Sequence, residues 1–155
     1  MISYDDIIEE SPFILNNLIS LLKTHDFYIE YYINNFTDIS PSQYYMFMCL
    51  YYDLGWNQSD IAKACFMDRS GVSRAFKEFE EKDLIIREVD EKNKRAYKMA
   101  LTDKGIKTAK FLEEKEIEWD EMICEDLDKN RAEVLKLLSD LSLKSLKFNR
   151  KKFKY

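Results

Sequence analysis

The chain has 155 residues, enough for one domain with helical extensions, and a formal net charge of −5. Three dispersed cysteines (Cys49, Cys65, Cys124) exclude a disulfide framework and fit a reduced cytosol. The sequence shows no charged-then-apolar signal segment and no apolar run able to cross a bilayer, so a cytoplasmic protein without a membrane partner is expected.

Residues 1–10 form a short acidic lead-in. Ser11-Pro12 is a helix start signal, because serine can cap and proline's missing N–H is harmless in the first turn. Leu15, Leu18, Leu22, His25, Ile29, Tyr32 and Phe36 then recur at three-four spacing, close to a heptad seam that needs a partner. Ser40-Pro41-Ser42-Gln43 has capping-box register and opens a second helix, expected to run to about Leu54 and stop at Gly55. Asn57 and Asp60 are spaced to cap a short third helix bearing Ile61 and Ala62.

A fourth helix over residues 69–82 puts Val72, Phe76 and Phe79 on one side and Ser70, Ser73, Arg74 and Lys77 on the other. Strands over 84–89 and 96–101 flank a turn at 90–95 that carries Lys92, Lys94 and Arg95. Thr102 caps a long helix with Ala109, Leu112, Trp119 and Ile123 along one side. The last helix opens at Asn130, with Glu133 three residues on, and carries Val134, Leu135, Leu138 and Leu141 before a basic stretch from Lys144.

These elements predict a mainly α protein with a small β-wing: a winged helix-turn-helix reading head flanked by N- and C-terminal dimerisation helices. The expected division is a helical dimerisation region at 11–36 and 103–148, a DNA-binding head at 40–102 and a basic tail at 149–155. A helix anchored by one face and presenting short polar and cationic side chains on the other suits the DNA major groove. The candidate contacts are Arg69, Ser70, Ser73, Arg74 and Lys77 on the helix and Lys92, Lys94 and Arg95 on the wing. Arg74 is the better candidate for guanine, while Arg69, at the helix start, is expected at phosphate. Pairing the flanking helices between two chains would bury both seams and present two heads, so a homodimer on a palindromic double-stranded DNA site is expected.

The total charge is acidic, but its placement is uneven. Residues 1–56 carry one cation against eight acids, hence −7; residues 57–105 and 106–155 are each +1. The acidity therefore belongs to the first third and not to the reading head. With a single histidine, His25, no nucleophile-base pairing at usable spacing and no phosphate-binding glycine loop, no catalytic residues, metal site or cofactor are expected.

Several stretches, taken in order, resemble the multiple-antibiotic-resistance regulators, the MarR family. They are Ser40-Pro41-Ser42-Gln43, Gln58-Ser59-Asp60-Ile61-Ala62, Asp68-Arg69-Ser70-Gly71-Val72-Ser73-Arg74, Glu80-Glu81-Lys82-Asp83-Leu84-Ile85, the wing Asp90-Glu91-Lys92-Asn93-Lys94-Arg95, and Leu101-Thr102-Asp103-Lys104-Gly105. The resemblance implies a cytoplasmic homodimeric transcriptional regulator, commonly a repressor released by a small phenolic or apolar ligand. It also implies an effector pocket between the helical dimer region and the reading head. Aromatic residues crowd the corresponding segments, and His25, Tyr28, Tyr32, Tyr44, Phe47 and Tyr51 are the candidate lining residues. The chain departs from the family at Asn93, where an acid often precedes Arg95 by two; at Lys92, where arginine is frequent; and at Phe66, where the turn commonly has glycine. Two other readings are a winged helix used only for protein interaction, favoured by the acidic total, and a thiol redox sensor.

Overall fold

The order of elements is α1 (Ile14–Phe36), a 3₁₀ turn (Pro41–Gln43), α2 (Tyr44–Tyr51), α3 (Gln58–Ala64), α4 (Arg69–Glu81), β1 (Ile85–Val89), β2 (Tyr97–Leu101), α5 (Asp103–Cys124) and α6 (Arg131–Phe153). The computed structural model describes residues 8–9, 11–52, 58–65, 67–89 and 97–153. The chain divides into two compact units, Met1–Lys115 and Glu116–Tyr155.

In the first unit, α1 starts later than the Ser11-Pro12 signal predicts. Phe13 holds the N-cap position without a side-chain cap. The Ser11 hydroxyl instead accepts from the Phe13 N–H at 3.3 Å and from Asn16 Nδ2 at 2.9 Å. The helix ends at Phe36 as expected, where extended Thr37 returns both its N–H (3.2 Å) and its hydroxyl (2.8 Å) to the Ile33 carbonyl. Ser20, His25, Ile29 and Ile33 form its buried side, whereas Leu15, Leu18, Leu22 and Phe36 of the predicted seam are exposed.

At the 3₁₀ turn the glutamine half of the capping box is made, with Gln43 Oε1 accepting from the Ser40 N–H at 3.2 Å. Helix α2 closes at Tyr51, short of the expected Leu54; Gly55 and the candidate cap Asn57 lie outside the described residues. Asp60 stands within the first turn of α3. Phe66 also lies outside the described residues.

Helix α4 supplies the centre of the core. Val72, Phe76 and Phe79 are at most 1% exposed and meet Phe47, Ile61, Leu84 and Leu112 in one cluster. Each such side chain contributes roughly 1.5–3 kcal/mol by leaving water. The helix stops by a Schellman motif: Asp83 takes a left-handed φ of 56°, its N–H donates to Glu80 at 3.0 Å, and the Leu84 N–H returns to Phe79 at 2.8 Å. Strand β1 follows at once and pairs antiparallel with β2, in register Ile85↔Leu101, Arg87↔Met99 and Val89↔Tyr97. The turn between them, with Lys92, Lys94 and Arg95, lies outside the described residues.

The start of α5 is stitched to the corner that ends α4. The Thr102 hydroxyl donates to the Asp83 carbonyl at 2.7 Å and accepts from the Gly105 N–H at 3.0 Å, so Thr102 caps as predicted. Lys104 Nζ reaches the Lys82 carbonyl at 2.8 Å and Asp38 at 2.7 Å. Gly105 has no room for a side chain, since a Cβ there would lie 2.1 Å from the Leu84 carbonyl oxygen.

In the second unit, Arg131 joins Asp120 at 2.8 Å. Helix α6 opens with a full capping box: Glu133 accepts from the Asn130 N–H at 3.0 Å, and Asn130 accepts from the Glu133 N–H at 3.1 Å. The helix continues through the basic stretch to Phe153 and buries none of its residues. Leu135, Leu137, Leu141, Leu143, Leu146, Phe148 and Phe153 are all exposed on it.

Candidate nucleic-acid interface

The side of α4 opposite Val72, Phe76 and Phe79 carries Ser70, Ser73, Arg74 and Lys77, and Arg69 stands at the helix start; all five are exposed. Four of the eight predicted contact residues are thus brought onto one helix face, with a fifth at its start. The wing residues Lys92, Lys94 and Arg95 lie outside the described residues.

Asp68, which sequence reasoning did not select, organises the start of this helix. Its Oδ1 accepts from the Gly71 N–H at 2.6 Å and from the Ser70 hydroxyl at 2.7 Å. The Gly71 amide and then the Ser70 hydroxyl hold the Asp68 carboxyl below its ordinary range, so it is ionised at neutral pH. The available signal was an aspartate three residues ahead of Gly71 and just before an amphipathic helix. Arg69 Nη2 donates to the Ser59 hydroxyl at 3.1 Å, tying α4 to α3.

Glu78, Glu80 and Glu81 near the C-terminal end of α4 would repel phosphate if free, but each of the three has a partner. Gln43 Nε2 donates to Glu78. Glu80 receives Arg87 through two bonds, at 2.6 and 2.8 Å, a bidentate pair. Glu81 lies 3.6 Å from Lys77 one turn away, an exposed pair of little energetic weight. Arg74 stands exposed on this face, with the Asp68 carboxylate as its electrostatic neighbour.

The six candidate pocket residues do not gather at one cavity. Tyr28 and Tyr32 line a shallow, open depression of about 450 Å³ on α1, together with Phe27, Tyr31 and Asn35. Tyr32 also stacks toward Phe111 at 6.2 Å and receives Lys115 Nζ at 4.9 Å from its ring centroid, a cation–π contact. His25 and Tyr44 are buried, and Phe47 is enclosed in the core against Phe79 at 5.3 Å. Tyr51 is half-buried and donates its hydroxyl to Glu113 at 2.9 Å, which pushes its own ionisation up.

Burial raises both the Cys49 and Cys65 thiols, Cys65 from 9.0 to about 11, and the two lie within side-chain hydrogen-bonding contact. Neutral thiols are poor nucleophiles. No helix of the described residues is long and apolar enough to cross a membrane.

Residues 37–96 match the sequence model of the MarR family. A Thauera aromatica protein assigned to transcriptional regulation of the hcr operon is 28% identical over 104 residues, covering 66% of this chain. That match spans 63% of the relative's own length. A MarR transcriptional regulator from Methanosarcina mazei Go1 superposes with a TM-score of 0.74 at 27% identity, over 89% of this chain and 99% of its own. MepR of S. aureus, in its complex with DNA, superposes with a TM-score of 0.67 at 25% identity, over 86% of this chain and 96% of its own.

Proposed function

Residues 37–96 match the MarR family and the fold is that of a MarR regulator, and from that premise we propose that the chain is a MarR-family, homodimeric, sequence-specific DNA-binding transcriptional regulator. The observation that carries the reading is the two-sidedness of α4: Val72, Phe76 and Phe79 lock one face into the core while Ser70, Ser73 and Arg74 stand exposed on the other. Nearby carboxylates Glu78 and Glu80 are drawn onto Gln43 and Arg87, which leaves that face open to a polyanion. A similar protein, MepR, is known in complex with DNA, which supports a DNA-binding role for this chain.

On this reading Arg69, Lys77, Lys92 and Lys94 meet phosphate, Ser70, Ser73 and Arg74 meet base edges in the major groove, and Arg95 enters the minor groove. Residues 40–102 form the reading head, 11–36 and 103–148 the dimerisation region, and 149–155 the basic tail. A second copy of the chain is the partner for exposed leucines such as Leu15, Leu18 and Leu22 of α1 and Leu135, Leu141 and Leu146 of α6. Solvated faces this apolar mark association surfaces. Two heads related by a twofold axis then read a palindromic site with half-sites about 34 Å apart. The regulator is a cytoplasmic repressor, released when a small apolar or aromatic ligand binds one head spacing better than the other.

Two measurements test this. Sedimentation at micromolar concentration should find a dimer, and a monomer would remove the two-headed reader. Selection from a random duplex pool should enrich an inverted repeat. Recovery of unenriched DNA, together with partner proteins captured through the exposed α4 face, would favour an interaction module instead.

A further inference from the structure

The inference here rests on the DNA-reading role of α4 and concerns how that helix chooses its bases. A serine hydroxyl has one proton to donate and two lone pairs that accept. In this chain the Ser70 proton is directed to the Asp68 carboxylate at 2.7 Å. A hydrogen bond to an ionised acceptor is roughly twice as strong as a neutral one, so the proton stays there when a base edge approaches. Asp68 is itself fixed, because the same oxygen caps the helix through the Gly71 N–H at 2.6 Å. Ser70 remains exposed, and what it offers outward is an acceptor.

The major groove distinguishes bases by donor and acceptor. Only adenine N6 and cytosine N4 present donors there; guanine offers O6 and N7, and thymine offers O4, all acceptors. We propose that Asp68 fixes Ser70 as a hydrogen-bond acceptor and so makes the recognition helix prefer an amino-bearing base, adenine or cytosine, at the position Ser70 faces. Arg74, which can only donate, reads acceptor-bearing guanine one turn further along. The exposed face of α4 is thus divided into an acceptor and a donor, and Asp68 is a positioning residue that never touches the base.

The test begins with duplexes selected from a random pool by the full-length protein. Each half-site position is then permuted through all four bases and titrated with wild type, Ser70→Ala, Asp68→Asn and Asp68→Ala. Wild type should show one position where adenine or cytosine is favoured by about 3- to 10-fold, the scale of one hydrogen bond. Ser70→Ala should flatten that position alone. Asp68→Asn should weaken the preference without abolishing it, since its neutral amide oxygen still accepts the serine proton but holds it less firmly, while total affinity rises as a negative charge leaves the surface. Asp68→Ala should lose the preference because the hydroxyl rotates freely and can donate to guanine or thymine. Should Asp68→Ala fail to fold for want of its cap, Ser70→Ala, which leaves the Asp68–Gly71 cap in place, decides the matter. If the position flattened by Ser70→Ala favours guanine or thymine in wild type, the proposal is overturned. It is equally overturned if no position responds to Ser70→Ala while Arg74→Ala still weakens binding. If the pool yields no enriched duplex, the DNA reading itself fails, a result distinct from either.

Discussion

Gln43 at the end of the 3₁₀ turn donates its side-chain amide to the Glu78 carboxylate on α4, a contact made across 35 residues of sequence. The same side chain accepts from the Ser40 N–H at 3.2 Å, and Gln43 is only 7% exposed. One glutamine therefore closes the start of α2 and holds a carboxylate of α4 to one side. Local capping and the electrostatics of α4 share a single residue.

Replacing Gln43 by leucine should cost about 1–3 kcal/mol, because it leaves the Ser40 N–H and Glu78 without their partner. Gln43→Glu should cost at least as much, since it sets one carboxylate against another. Urea denaturation of both variants checks the stability. DNA titration should show weaker binding in each, as Glu78 is released toward the phosphates. A Gln43→Leu protein as stable as wild type would mean that the contact contributes nothing.

Gly105→Ala should destabilise the first unit by roughly 1–3 kcal/mol, the usual range for overpacking. Its Cβ would sit 2.1 Å from the Leu84 carbonyl oxygen, which is backbone and bonded to the Thr102 N–H at 3.1 Å. Relief requires α5 to move off the corner where Asp83 turns the chain. Thermal melts of this variant beside Gly71→Ala make the comparison, since the added methyl at Gly71 meets only the flexible end of Met67 at 3.1 Å and the Asp68 carboxylate at 3.4 Å. The Gly105 variant should melt well below the Gly71 one.

The half-buried thiols set an alkaline limit. Folding raises Cys65 from 9.0 to about 11, so between those values the unfolded chain has released a proton that the native chain retains. Stability then falls as pH rises through that window and is unaffected below it. Native Cys49 and Cys65 should resist iodoacetamide at pH 8 and react readily once urea exposes them, as followed by mass spectrometry. Rapid native labelling or peroxide oxidation at pH 8 would revive the thiol-sensor reading.

How much of this was legible in the sequence can be judged residue by residue. The stripe Val72, Phe76 and Phe79 follows helical spacing, and all three side chains enter the core. The Asn130–Glu133 box was equally visible, because capping is local and needs only the right types three residues apart. Ser11 misled for the same reason: its hydroxyl found Phe13 and Asn16, and the helix began at Ile14. Longer-range facts were beyond reach. Heptad spacing marked α1 as apolar, but only the fold decides that Ile29 turns inward while Leu15 and Leu22 face solvent. Phe47 and Tyr32 look alike as aromatic pocket candidates, yet one packs against Phe79 and the other lies beside an open surface. Nothing in the order of residues shows that Gln43 would meet Glu78.

The central claim is that the exposed face of α4 reads DNA. Its most direct test is fluorescence anisotropy of a selected inverted-repeat duplex, titrated at several salt concentrations with wild type and Arg74→Ala. About eight to ten phosphate or base contacts per dimer should make the logarithm of affinity fall with the logarithm of salt at a slope of about −7 to −9. Arg74→Ala should lose roughly 1–3 kcal/mol and discriminate less among bases at one position of each half-site. Equal affinity and equal base preference for wild type and Arg74→Ala, with no dependence on salt, would contradict the account.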